Sequence, residues 1–166
     1  MLQPVRRRTW APRGQTPIQK SWDRHDRLSV VSALTVAPRR RRLGLYFRLH
    51  DHNIRAKDVL DFLRDLRRHL QRKIVLVLDR WSVHRAAVRR LARRGAGWAT
   101  IEWLPAYAPE LNPVEQVWTH TKYADLANYI PRDVADLRAG VERSIRRKRA
   151  RPPLLRAFFN HAQLKL

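Results

Sequence analysis

Read for the spacing of apolar positions, the chain changes period several times. From Arg27, RLSVVSALTVA has strand character, PRRRR follows as a polar turn, and LGLYFRLH alternates apolar and charged residues. That pattern predicts a β-hairpin. Residues 56 to 70, AKDVLDFLRDLRRHL, place Val59, Phe62, Leu63, Leu66 and Leu70 at helical spacing with charges on the other face, which predicts an amphipathic helix. IVLVLD, at 74 to 79, is an apolar run ended by an acid, as expected of a strand covered on both faces. Ser82 can cap a following helix, VHRAAVRRLARR, which stops at Gly95. ATIEWL reads as a further short strand leading into a proline-punctuated loop. Three helical stretches follow, roughly 113 to 125, 132 to 149 and 153 to 163; the second starts at Pro131 and carries Val134, Leu137, Val141 and Ile145 on one face.

A hairpin followed by alternating helices and strands describes an α/β layered domain with a partly parallel sheet. The 166 residues suit one domain with a real core, and no repeat or low-complexity linker divides them. Residues 1 to 22 show no hydrophobic periodicity and read as an irregular or edge segment. Ligands of such sheets gather outside the carboxyl ends of the strands. Asp79 is at such an end.

Charge narrows the partner. The chain has 36 Lys+Arg against 14 Asp+Glu and a formal net charge of +22, with arginine clusters at 6 to 8, 39 to 42 and 146 to 151. Arginine's planar fork suits phosphate oxygens, and nucleic acid is the polyanion that rewards this much charge, through counterion release. No apolar run reaches transmembrane length, and the arginine-rich start lacks the apolar core of a secretory signal, so a soluble intracellular protein is expected. With no cysteine, a metal must sit on oxygen or imidazole.

Two acids stand out against that background. Between Asp79 and Glu115 there is room for a helix, a parallel strand and a loop, a path that returns the chain to the same edge of the sheet. Two carboxylates among arginines invite Mg²⁺ or Mn²⁺, which take oxygen ligands and leave room for a substrate phosphate; metal-assisted phosphodiester cleavage is the implied chemistry. Plainer readings stand beside this one. Asn112-Pro-Val-Glu115 has the form of a capping box in which Glu115 needs no function, and Asp79 can be a strand-terminal acid capping the next turn. His84 can be a packing or capping residue. Asp58, Asp61 and Asp65 share a helix face that reads as solvated, where Asp61 with Arg64, and Asp65 with Arg68 or His69, make ordinary surface pairs, and Trp118 packs its helix onto the sheet. The run Arg39, Arg40, Arg41 and Arg42 is a solvated hairpin tip unless it meets phosphate; with His84 and Arg85 it supplies the candidate nucleic-acid contacts.

LVLDRWSVHR and LPAYAPELNPVEQVW resemble two signature blocks of bacterial insertion-sequence transposases in the mariner-like DDE superfamily, and TWAPRGQTP with RLSVVSALT is similar to the segment before them. The most specific part is Tyr107 to Glu115, interrupted by one alanine. The resemblance implies an RNase H-like mixed sheet flanked by helices, with Asp79 the second catalytic acid and Glu115 the third. It also implies two metal ions, Mg²⁺ or Mn²⁺, and DNA strand cleavage and strand transfer in a bacterial, nucleoid-associated cytoplasmic protein. In that family the first acid lies on a strand upstream of the segment that Leu2 to Pro17 resembles. Residues 1–166 are therefore expected to be a partial catalytic domain without its central first strand and without a helix-turn-helix domain, a truncated copy or the second frame of a fusion. The expected partners are DNA and an upstream polypeptide supplying the strand, with self-association through the open edges. Asp23 or Asp26 are remote substitutes for the missing acid. The rival reading is a non-catalytic basic nucleic-acid-binding protein; a ribosome-associated protein fits less well, because the long apolar strand and the acid spacing argue against it.

The charge without a recognition module predicts DNA binding that is indifferent to sequence and falls steeply with salt. Affinities for the element's ends and for random duplex, measured across a salt series, are expected to stay close; a large preference for the ends would contradict this.

Overall fold

The computed structural model describes residues 5, 7–15, 17–18 and 28–166. β1 (Ser29–Val36) and β2 (Leu43–His50) form the expected antiparallel hairpin, in register from Ser29↔His50 to Val36↔Leu43. At its tip Arg40 takes a positive φ of 55°, and the Ala37 N–H donates to the Arg42 carbonyl at 2.9 Å. α1 (Ala56–Leu70) has the predicted boundaries and buries Val59, Leu60, Phe62, Leu63 and Leu66. Its first turn is closed by Asp58, which accepts the Arg55 N–H at 2.7 Å. β3 (Ile74–Leu78), α2 (Ser82–Ala92) and β4 (Ala99–Trp103) make a strand–helix–strand unit with parallel pairing from Ile74↔Ala99 to Leu78↔Trp103. α3 (Pro113–His120), α4 (Val134–Arg149) and α5 (Pro152–His161) complete the chain. Near the start, Val5 bridges Ala127 and the Arg7 N–H donates to Asn128 at 2.7 Å, so the described part of that segment lies beside the turn after α3.

Two apolar cores result. Leu45 and Leu49 of the hairpin pack with Val117 of α3, Val141 and Ile145 of α4 and Leu155 of α5. Val59, Leu60 and Leu63 of α1 pack with Leu76 of β3 and with Ala87 and Leu91 of α2. The predicted faces of α1 and α4 are thus the buried ones, as the 3.6-residue period requires.

Three local readings need correction. α2 begins at Ser82 itself with Trp81 at the cap and no side-chain cap bond, since an indole offers no acceptor; Asp79 turns the chain into the helix by accepting the Trp81 N–H at 3.1 Å. α4 begins at Val134, not Pro131, because the Asp133 carboxylate accepts the Asp136 N–H at 2.7 Å and makes the stronger cap. α3 stops at His120, and residues 121–125 widen into a π-helical turn closed by the Leu126 N–H on the Thr121 carbonyl at 3.0 Å. A fourth concerns β3. An apolar run predicts burial on both faces, yet Val75 and Val77 are 63% and 58% exposed; only the Leu76 face is covered, by α1 and α2.

The reason lies in the sheet. Among the described residues, β1 pairs only with β2 and β3 only with β4, and every residue of β1 and β3 lines one cavity of about 2310 Å³. The described residues leave a space there, walled by β1 and β3, by Phe62 and Leu66 of α1, and by Asp79 and Glu115.

The π-helical turn is tied to α4 by a buried polar network. Lys148, 1% exposed, donates to Asp125 and to Ser144 at 2.7 Å, and Ser144 donates to Asp125 at 2.7 Å. Burial pushes the Lys148 ammonium below its ordinary pKa. At the more exposed Asp125, burial is outweighed by the Lys148 and Ser144 bonds, and its carboxyl lies below the usual range. Asp125→Ala leaves a buried ammonium without its partner and is expected to cost about 3 kcal/mol. The Asp125→Ala, Lys148→Met pair should cost less. Urea unfolding of both variants checks the order.

Candidate active site

Asp79 follows the last residue of β3, and its Oδ1 accepts both the Trp81 N–H at 3.1 Å and the His84 Nδ1–H at 2.6 Å. The plain capping role is therefore present. Both bonds use Oδ1, however, and Oδ2 has no hydrogen-bond partner among the described residues. The His84 bond, followed by the Trp81 N–H, holds the Asp79 carboxyl below its ordinary pKa against the opposing effect of burial. His84 is in turn packed edge-on against Trp81 at 5.3 Å between ring centres.

Glu115 reaches the same place from β4. The Leu104 N–H donates to the Leu78 carbonyl at 2.8 Å, and Arg80 Nε donates to the Leu104 carbonyl at 3.1 Å, so the ends of β3 and β4 leave the sheet together. The loop passes through Tyr107, at φ 58° and fully exposed, and a 3₁₀ turn at Pro109–Leu111. It enters α3 at Asn112, whose Oδ1 accepts the Val114 N–H at 3.1 Å, with Pro113 in the first helical position. The other half of the capping box is not made. The Asn112 N–H donates to the Pro109 carbonyl at 3.0 Å, which removes the donor that would have drawn Glu115 back. The carboxylate instead lines the cavity that Asp79 lines. Burial first, and then the negative charge of Asp79, push the Glu115 pKa up.

His84 and the exposed Arg85 stand at this end of the molecule, at the start of α2. Arg39 to Arg42 do not. α1 runs back along β2, as the Asp58–His52, Asp65–Arg48 and His69–Tyr46 contacts record in order. β3, beginning just after α1, therefore starts near the hairpin tip and ends away from it. The tip is tied instead to the carboxyl terminus, through Arg40 to the Lys165 carbonyl and Arg156 to the Arg40 carbonyl, both at 3.3 Å. Arg80 was missed by sequence reasoning, although its place directly after the strand-terminal acid marked it as the residue able to reach the neighbouring strand end.

Two carboxylates lining one cavity, one with an oxygen outside any hydrogen bond among the described residues, suit a hard divalent cation held by oxygen. Among the described residues no third histidine, aspartate or glutamate closes a ligand cluster with them. Asp23 and Asp26 lie outside the described residues.

The described residues resemble a chain in the crystal structure of the Mos1 strand transfer complex, with a TM-score of 0.59 at 16% identity, over 98% of this chain and 47% of that one; the fold is RNase H-like. The chain spans about half the length of that solved relative. The DDE superfamily endonuclease model matches residues 1–138, and the chain belongs to that family. No curated protein sequence matches it.

A carboxyl whose folded pKa is raised binds its proton more tightly in the folded chain, so stability falls as pH rises past the unfolded value and the loss is complete above the folded one. Glu115→Gln removes that charge. In chelator it is expected to melt above the parent at neutral pH and level with it below the carboxylate range. A lower melting point at neutral pH would contradict the burial account.

Proposed function

We propose that this chain is the catalytic-domain portion of an insertion-sequence transposase, in which Asp79 and Glu115 are two acids of a metal-dependent site for DNA strand cleavage and strand transfer. The observation that carries the reading is the meeting of the two acids at one end of the cavity, with the Glu115 carboxylate not engaged by the helix cap. Family membership supports it, as does a fold shared with a strand transfer complex.

The residues divide the work by their surroundings. His84 orients Asp79 and keeps it ionised, with Oδ2 left to a ligand. Glu115, half-buried, stays the more basic carboxylate of the pair. Arg80 fixes the spacing of the two strand ends, and Arg85 offers a phosphate contact beside them. Arg39 to Arg42, far from the acids, would hold DNA backbone away from the chemistry. Mg²⁺ or Mn²⁺ held by Asp79 and Glu115 would supply Lewis acidity at a phosphate oxygen and a more acidic water. DNA is the partner, in a bacterial cytoplasm at the nucleoid; among the described residues no helix is long and apolar enough to cross a membrane.

The edges of β1 and β3, open among the described residues, support a second partner in this reading, an extended polypeptide segment that would pair with both and bring the remaining acid to the Asp79 end. Two strand edges unpaired among the described residues, with Val75 and Val77 exposed on one of the strands, suit strand addition. A second reading follows from the missing third ligand among the described residues: by itself the chain is a DNA binder that does not cut.

Calorimetry with Mg²⁺ should show binding to the parent and none to an Asp79→Asn, Glu115→Gln variant; identical isotherms would remove the metal site. The chain alone should leave supercoiled plasmid intact in Mn²⁺. With the strand segment fused or added as a peptide it should nick and melt at a higher temperature. Nicking by the chain alone would mean that another acid of this sequence completes the site.

A further inference from the structure

A second group of ligands lies at the junction of β2 and α1 and shares no residue with the acid pair. His50 ends β2, His52 follows two residues later, and Asp58 sits in the first turn of α1; one ligand atom from each lies within 4.8 Å of the other two. His50 Nε2 is buried with no hydrogen-bond partner, a costly state for an imidazole nitrogen. The His50 and His52 rings meet at 5.0 Å between centres and 69° between planes. His52 Nε2 lies 3.3 Å from Asp58 Oδ2, close to the edge of a tetrahedron with bonds of about 2.0–2.1 Å. On its other side His52 Nδ1 lies 3.1 Å from Asp51 Oδ1.

We propose that His50, His52 and Asp58 bind a divalent ion of borderline softness, with zinc the preferred one. Two imidazoles and one carboxylate are a nitrogen-rich set that favours zinc over magnesium. Asp51 serves as a positioning residue: with the Nδ1 proton of His52 bonded to it, Nε2 is left as the lone-pair donor, the carboxylate–histidine arrangement that fixes ring orientation at metal sites. The ion takes the place of the His52–Asp58 hydrogen bond and gives His50 Nε2 the partner it lacks. Asp58 keeps its bond from the Arg55 N–H, so the ligand is already held by the helix start. The fourth position is left to solvent. Such an ion would pin the end of β2 to the start of α1 across residues 51–55.

The test is a zinc titration by calorimetry of the parent chain, of His52→Ala, of Asp51→Asn and of the Asp79→Asn, Glu115→Gln variant, with Co²⁺ absorption as a second readout. His52 is exposed, so its loss should leave the fold intact, and far-ultraviolet circular dichroism without metal checks this. Parent and acid-pair variant are expected to share one zinc-binding step of equal affinity, whatever further zinc the acid pair takes in the parent, and both to show the intense visible bands of tetrahedral Co²⁺. His52→Ala should bind at least about tenfold more weakly without those bands, and Asp51→Asn should weaken binding by about tenfold while keeping them. Zinc binding unchanged in His52→Ala, or abolished in the acid-pair variant, would overturn the assignment.

Discussion

Parallel pairing of β3 with β4 governs the chemistry open to this chain. Parallel strands need a crossover that carries the chain back to where it began, and α2 is that crossover. Both strands therefore end at the same place, and Asp79 and the loop to Glu115 leave the sheet side by side. The tie from Leu104 to the Leu78 carbonyl extends the ladder one step beyond the strands, and the Arg80 bond to the Leu104 carbonyl locks it. Were the two strands antiparallel, the acids would stand at opposite ends and share no charge.

Among the described residues β1 and β3 belong to separate two-stranded sheets. Each half has its own apolar core, and each half buries the sheet face that its helices cover. Among the described residues neither supplies a hydrogen-bond partner for its other edge. Backbone groups that face a cavity without partners lose much of what pairing contributes, and the exposed Val75 and Val77 add unburied apolar surface at the same place. Stability margins of small domains are about 5–15 kcal/mol, so such unpaired groups are a large fraction of what holds the fold.

Electrostatics follow burial more closely than net charge. In a chain of net charge +22, Glu115 is still pushed toward its neutral form, by desolvation and by Asp79. A distant arginine in water does little to offset burial and a nearby carboxylate. Lys148 shows the converse, a cation drawn into the interior by one aspartate and one serine. Both are places where the local partner decides the protonation state.

The hairpin, α1, the strand–helix–strand unit and the buried face of α4 were legible in the sequence because local spacing determines them. Period 2 or 3.6 sets which side chains share a face, and a buried face is what the core requires. The two acids were legible as candidates for a related reason, since a strand end and a loop-to-helix junction are marked by IVLVLD and by Asn112-Pro113. Tertiary structure alone decided how those acids are placed. Whether Glu115 folds back to its cap depended on the Asn112 N–H, which the Pro109 carbonyl takes. Whether β3 is covered on both faces depended on what lies beyond its free edge, and whether Arg39 to Arg42 approach the acids depended on the direction in which α1 returns along β2. His50, His52 and Asp58 are brought together by the turn from strand to helix. These are relations between segments, set by chain direction and by competition for single donors, and no local period encodes them.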